Sequence, residues 1–474
     1  MHGHSDRDME SKVIEHMKKS HPPTDRRKLS PLKIASYAGI AVGAIVLVCM
    51  LVLLFFPGPL VNRFVKPRIT KAFAGAYPAY SIRIADMNYS VFKNRFGFDS
   101  VALSAVDGTF SSTMGSFSVS GIAWMHLLWG GNLAVHDFAN SVVDAQDILV
   151  NFPHEKYEVH CGLLHVSVPD SVIRIEALKL HPPGDDEEFF AGSEFRKTRF
   201  RLVVPHVRVM GLACLELLEG KSYRVHSAQI HDAFLDVLIN KDKVFAKDTV
   251  SPTMPNEILS SIKGILHVGR LSIMNGRLKY GERFSIGGTP AIITLDSMNV
   301  LADGIANRGN HGAALEIHAQ GMFMKAGTMN LHMSIPVASP ELSYQYSGSI
   351  DSMDLSAVNG FLEPSEQMRV KTGVLKEATF EINVDSGRAT GNVRALYRDL
   401  ILAAINKQTG SEKGFFNGIA STIANTFKLR GTNEPDTTGS MKIGVVNYTR
   451  KRDEFFLEFT WFALRSGVGD VVGF

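Results

Sequence analysis

Hydrophobic positions follow two patterns along this chain. The first is an uncharged run of 23 residues from Ile34 to Phe56. At about 1.5 Å of rise per residue it crosses a bilayer core of about 30 Å with room for tilt. Lys33 bounds it on one side and Pro57-Gly58-Pro59 on the other. It is longer than the apolar core of a cleaved signal peptide, and no small-x-small site precedes Pro57. One transmembrane helix is expected at 34–56.

Beyond residue 80 the period becomes two. Ser81-Ile-Arg-Ile-Ala, Phe117-Ser-Val-Ser-Gly, Leu163-Leu-His-Val-Ser-Val and Val172-Ile-Arg-Ile place apolar side chains on one face, as do Leu315-Glu-Ile-His-Ala and Phe380-Glu-Ile-Asn-Val. Turn signals such as Met274-Asn-Gly, Asp303-Gly and Asp385-Ser-Gly punctuate the run. No strong helix alternates with these strands, which argues against a doubly wound α/β fold. The length exceeds a single sandwich, so the strands form either successive sandwiches or one continuous sheet. Pro182-Pro-Gly-Asp-Asp-Glu-Glu and the stretch 248–255 are the best candidate breaks, and both read more readily as solvated loops.

Three segments depart from the strand pattern. Residues 122–129, with Trp124, Leu127, Leu128 and Trp129, fit a short helix or an aromatic strand, and 355–362 carries a weak helical pattern. At 411–429, Phe415, Phe416, Ile419, Ile423 and Phe427 build one wide apolar stripe. Ser411 suits the start of that helix, and Lys428, Arg430 and Gly431 suit its end. The stripe can cap the end of a sheet or dock on a membrane or envelope protein; the polar face lacks the lysines of a strong membrane binder.

Composition adds little to this outline. A formal charge of +3 gives no electrostatic case for nucleic-acid binding. Of three cysteines, Cys49 lies in the apolar run, while Cys161 and Cys214 can pair or stay reduced. No nucleophile elbow, phosphate loop, His-Glu-x-x-His or Cys-x-x-Cys occurs. His154, His160, Cys161 and His165 lack diagnostic ligand spacing, since neighbours in a strand face opposite ways. Asp185-Asp-Glu-Glu reads as a solvated loop, with calcium binding the lesser alternative. No enzyme, metal or cofactor is expected. The basic residues Arg7, Lys12, Lys18, Lys19, Arg26, Arg27, Lys28 and Lys33 precede the apolar run, against Arg63, Lys66, Arg68 and Lys71 after it. The positive-inside rule therefore puts a disordered tail, 1–33, in the cytoplasm and 57–474 across the membrane.

Two regions resemble a known family. Tyr80-Ser-Ile-Arg-Ile-Ala-Asp-Met-Asn-Tyr, Arg95-Phe-Gly-Phe-Asp-Ser-Val-Ala-Leu-Ser, Gly115-Ser-Phe-Ser-Val-Ser-Gly-Ile and Leu127-Leu-Trp-Gly-Gly-Asn-Leu-Ala-Val resemble the start of AsmA-like envelope proteins. Gly387-Arg-Ala-Thr-Gly-Asn-Val-Arg-Ala-Leu-Tyr-Arg-Asp-Leu, the stripe at 411–429 and Phe459-Thr-Trp-Phe-Ala-Leu-Arg-Ser-Gly-Val-Gly-Asp resemble their end. The resemblance implies a mainly β protein anchored in the inner membrane. Its elongated, curled antiparallel sheet would form a periplasmic groove that shields or moves phospholipid in support of outer-membrane homeostasis. Candidate lining residues are Leu271, Ile273, Leu315, Ile317, Leu331, Met333, Phe380, Ile382 and Val384. The same residues serve equally well as a closed sandwich core, because both folds need one apolar face. A lipid-free envelope assembly scaffold is the alternative function. Some 18–20 strands at about 4.8 Å would make a groove about 90 Å long, too short to cross a periplasm without a partner protein or a shuttling role. Alkaline extraction of membranes from expressing cells is expected to leave the full chain in the pellet. Deleting 34–56 is expected to move it to the supernatant; retention of that variant in the pellet would refute the anchor.

Overall fold

The computed structural model describes residues 57–473 except 124–133, 246–250, 309–312, 337–338, 340 and 407–429, together with residues 44, 46 and 47. The run at 34–56 lies almost wholly outside the described residues, and the helix expected at 411–429 lies wholly outside them, as does most of 122–129. Among the described residues, no helix is long and apolar enough to cross a membrane. The chain divides into two units, 1–57 and 58–474, and all the strands belong to the second.

That second unit is one large, curved, mainly antiparallel sheet of 18 strands. Its first meander comprises β1 (Tyr80–Ser90), β2 (Arg95–Ala105), β3 (Ser111–Ser120), β4 (Val142–Phe152), β5 (Tyr157–Ser167), β6 (Val172–His181) and β7 (Thr198–Met210). Each pairs antiparallel with the next. β8 (Ser222–His231) and β9 (Phe234–Asn240) then lie end to end, both antiparallel to β7. The chain next runs back the length of this strand position, through a short helix at Pro255–Ser261, so that β10 (Ile265–Arg283) pairs parallel with both β8 and β9. A second meander follows: β11 (Ala291–Ala306), β12 (Ala314–Phe323), β13 (Gly327–Pro336) and β14 (Tyr344–Ile350), then the two-residue β15 (Met353–Asp354) and β16 (Met368–Asp385), β17 (Arg388–Ala404) and β18 (Ile443–Thr449). β14 and β15 share β16 as partner. Neither candidate break divides the sheet. The pattern at 355–362 becomes a 3-10 turn, Leu355–Val358, and helix α2, Asn359–Glu366.

Both ends of the ladder are protected from pairing with another chain. Before β1, helix α1 consists of Pro57–Leu60, a π-helical turn Val61–Val65 and Lys66–Ala76. From it the Asn62 side chain accepts from the Met87 amide at 2.9 Å and donates to the Met87 carbonyl at 2.9 Å, taking the place of a neighbouring strand. Lys66 donates to the Ala85 carbonyl at 2.9 Å. At the other end Asp470 accepts from the Val445 amide at 2.8 Å.

Alternation is not uniform within a strand. Phe96 and Phe98 have even numbers while Val101 and Leu103, on the same face, have odd ones; Ile173 and Ile175 switch likewise to Leu178 and Leu180. At the switch, alternate strands hold one residue in the left-handed region: Ser100 (φ 47°), Asp147 (φ 51°) and Ala177 (φ 53°). That residue turns the pleat by one position, so both halves of the strand keep their apolar side chains on one face. The intervening strands carry glycine at this level. A Cβ on Gly115 would lie 3.2 Å from Asp147 Cβ, and one on Gly162 would lie 3.2 Å from Ala177 Cβ. The line continues through Asp232, Asn275 and Ser297, all at positive φ, and forms a crease across the strands.

Left-handed backbone costs a residue with a Cβ on the order of 1 kcal/mol. Ala177→Gly is therefore expected to raise stability by about 0.5 kcal/mol in urea unfolding, the reverse of glycine's usual effect in a strand. Gly162→Val is expected to lower it by about 1–3 kcal/mol. A destabilised Ala177→Gly would contradict the crease.

Candidate functional site: the apolar face of the sheet

Residues paired across neighbouring strands point to the same side of a sheet, so the register can be followed from edge to edge. One row runs Met87, Phe98, Phe117, Ala145, Leu164, Ile175, Val207, Ile230, Ile273, Val300, Ala319, Leu331, Gly348, Phe380, Val393, Gly444. The adjacent row runs Tyr89, Phe96, Val119, Val143, Val166, Ile173, Val209, Ala228, Leu271, Ala302, Ile317, Met333, Tyr346, Ile382, Gly391, Val446. Neither row contains a charged residue. Beyond the crease, Leu103, Ser112, Val150, Val159, Leu180, Leu202, Leu235, Leu278, Leu295 and Phe323 continue the same face. The row between the two, on the opposite face, reads Asn88, Gly97, Ser118, Asp144, His165, Arg174, Arg208, Gln229, Ser272, Leu301, His318, His332, Ser347, Glu381, Asn392. Polar pairs link its members, among them His165 with Asp144 at 2.7 Å and His318 stacked on His332.

Cover differs sharply along the apolar face. Over β14–β18 it is sealed by helix α3, Phe456–Val472, whose Phe459, Ala463, Leu464 and Val471 join Tyr344, Ile382, Val393 and Val446 in the main core. Tyr344 and Tyr346 hydroxyls bond Thr460 of the helix at 2.8 and 3.0 Å. Close approach depends on two glycines: a Cβ at Gly444 would fall 2.0 Å from the Gly467 carbonyl oxygen, and one at Gly467 would fall 2.6 Å from Val393 Cγ2. The N-terminal end of α3 reaches a different part of the sheet. Arg196 pairs with Asp453 at 2.7 Å, and Lys241, just after β9, pairs with Glu458 and Glu282. Burial pushes the Glu458 carboxyl up, and Lys241 opposes that shift. A 17-residue helix is about 25 Å long, whereas a flat sheet would hold β9 and β18 about 38 Å apart. The sheet curls around α3, so the apolar face is the concave one here.

Over β2–β8 the row side chains, the small Ala145 apart, are half-buried, and none of them joins the core formed with α3. The residues expected to line a groove divide accordingly. Leu271, Ile273, Leu315, Ile317 and Leu331 are half-buried on the concave face. Met333, Phe380, Ile382 and Val384 are at most 5% exposed and belong to the packed core with α3. Phe415, Phe416, Ile419, Ile423 and Phe427 lie outside the described residues.

The remaining polar motifs are structural. Asp185 caps the helical turn Asp186–Phe190 by accepting from the Glu188 amide. Asp186 and Asp236 hold the buried Arg199 at 3.0 and 3.1 Å, and Glu187 pairs with Arg283 at 2.7 Å. Asp185, Glu187 and Glu188 are exposed, as a solvated loop requires, while Asp186 and Glu187 also pair with the buried Arg199 and Arg283. Cys161 and Cys214 are free and buried, and burial pushes both thiols up. No metal-like cluster occurs among the described residues. A depression of about 670 Å³, lined by Ser272, His318, Gln320, Asn330, His332 and Ser347 among others, lies over the polar face.

No known protein-family profile matches the chain, and no curated protein shows significant similarity to it.

Gly444→Val is expected to dislodge α3 and cost about 2–3 kcal/mol in urea unfolding, with a matching rise in binding of an apolar fluorescent dye. Unchanged stability would show that α3 is not seated as described.

Proposed function

We propose that the chain is an AsmA-like, membrane-anchored envelope protein that shelters phospholipid acyl chains on its concave sheet face and lets them move along it between membranes. The observation that carries this reading is the pair of unbroken apolar rows, which over β2–β8 are half-buried and lie outside the core formed with α3. An isolated sheet would not expose such a face to water without an occupant, since exposed apolar patches of this extent mark binding surfaces. The rows stand about 7 Å apart along the strands, and keeping a sixteen-carbon chain out of water is worth roughly 13 kcal/mol. Transfer along uniform apolar positions requires no catalytic residue, because each step exchanges one equivalent contact for another.

Length follows from the topology. β8 with β9, and β14 with β15, each fill a single strand position, so the rows extend about 70 Å at about 4.8 Å per strand. A protein of this length works with a partner protein or as a shuttle to reach a second membrane. α1 directly follows the proposed anchor at 34–56 in sequence, and its Val61 and the row residue Met87 are both buried. That end is the proposed point of lipid entry, with headgroups facing the open side and α3 closing the far end.

Photo-crosslinking in the full chain tests the reading. A photoreactive residue at Ile175 or Ile230 is expected to yield phospholipid adducts by mass spectrometry, and one at Arg174 or Gln229 is not. Ile175→Asp is expected to abolish adducts at Ile273 while leaving those at Phe98. Absence of adducts at the row positions, or equal yields from both faces, would refute lipid carriage and favour an assembly scaffold.

A further inference from the structure

The apolar rows begin beside a helix whose outer face has no partner. α1 lies along the free edge of β1 and antiparallel to it, with Asn62 bonded to Met87 and Lys66 to Ala85. Val61 is buried, and Ile69 and Phe73 are half-buried. Phe64, Pro67, Arg68, Lys71, Ala72 and Gly75 recur at i, i+3, i+4, i+7, i+8 and i+11, and all are exposed. Positions so spaced share one face of a helix. Because α1 takes the place of the next strand, that face looks outward past the end of the ladder.

Two chemistries meet on it. From Pro57 to Ala85 the chain contains no Asp or Glu, yet it carries Arg63, Lys66, Arg68, Lys71 and Arg83. Arg63, Arg68 and Lys71 are exposed and have no carboxylate partner among the described residues. A surface of one sign attracts a partner of the other. Phe64 and Tyr77 are 56% and 55% exposed, and the Arg63 guanidinium stands 5.8 Å from the centre of the Phe64 ring. The headgroup layer of a bilayer accommodates aromatic rings and basic side chains together, the rings among the upper acyl carbons and the charges at the phosphates. An acidic protein would answer the charge but not the position, since the apolar run 34–56 ends at the residue before α1.

We infer that the outer face of α1 rests in the headgroup layer of the anchoring membrane and gathers anionic phospholipid there. Arg63, Arg68 and Lys71 hold the phosphates, and Phe64 and Tyr77 enter the acyl boundary. Lipid collected at α1 is next to Met87 and Tyr89, the first members of the two rows, so anionic phospholipid is the class the sheet takes up. The inference rests on the proposed anchor and on lipid carriage along the rows. It adds a headgroup preference that the rows, which contain no charged residue, do not supply.

The full chain in vesicles of three parts phosphatidylcholine to one of phosphatidylglycerol tests this. A photoreactive residue at Ala72 is expected to yield phospholipid adducts in which phosphatidylglycerol exceeds its share of the vesicle about fivefold, the effect of roughly one base at an anionic surface. Arg68→Gln combined with Lys71→Gln is expected to return those adducts to the vesicle's proportions, as is high salt. The melting temperature is expected to stay put, because both side chains are exposed and unpaired. The same double variant is expected to lower the phosphatidylglycerol share of adducts at Ile175. No lipid adduct at Ala72, or protein adducts in its stead, would overturn the membrane contact. Adducts at Ala72 in the vesicle's own proportions would overturn the headgroup preference, and an unchanged share at Ile175 would overturn uptake through α1. Lipid adducts at Ala72 with none at Ile175 would sink carriage along the rows and leave the α1 contact standing; adducts at Ile175 with none at Ala72 would do the reverse.

Discussion

A strand that bends normally throws its next apolar side chain to the wrong face, and this sheet avoids that with one left-handed residue at a shared level. Ser100, Asp147 and Ala177 each advance the pleat by one position, and Gly115 and Gly162 between them leave room for the neighbouring Cβ. Because partner strands slip together, the hydrogen-bonded register is unbroken from β1 to β6. Two rows above the crease and the pairs below it therefore face one way. The local cost, on the order of 1 kcal/mol for each strained residue, is small beside the apolar area kept on one face.

The same face is handled in two ways. Around β14–β18 it is an ordinary core, with α3 seated on Gly444 and the Tyr344 and Tyr346 hydroxyls directed at Thr460. The buried Lys241 holds the start of α3 through Glu458 while also meeting Glu282. A lysine shared by two carboxylates fixes geometry more than it adds stability, because desolvation offsets much of the attraction. Towards β2–β8 the side chains lie outside that core and are half-buried. One continuous surface thus passes from a filled core to a half-buried apolar face without a domain boundary.

Strand character and the approximate strand number were legible, since period-two alternation with turn residues is a local signal. The choice between one sheet and successive sandwiches was not, because both need one apolar face. The crease was present in the sequence as Phe96-x-Phe98-x-x-Val101-x-Leu103, but a three-residue step within one strand looks like imperfect alternation until neighbouring strands repeat it at one level. α3 was missed because Phe456–Val472 is apolar on most sides and carries Gly467 and Gly469. A helix wedged into a curled sheet has no polar face to reveal its period. That Asp186 and Glu187 pair with Arg199 and Arg283 was not legible, because those arginines are distant in sequence. Which groove candidates are sealed and which half-buried depended on where α3 docks, which is a tertiary fact.

The parallel pairing of β10 with β8 and β9 has a kinetic consequence. Within each meander a strand needs only a strand close to it in sequence order. Apart from β17 with β18, whose paired residues are 49–61 apart, the connections are short and their contacts form quickly. The chain from Lys241 to Gly264 must then return along a full strand length before the halves can join. That parallel return joins the two meanders and is the natural place to divide the protein into two complementing fragments.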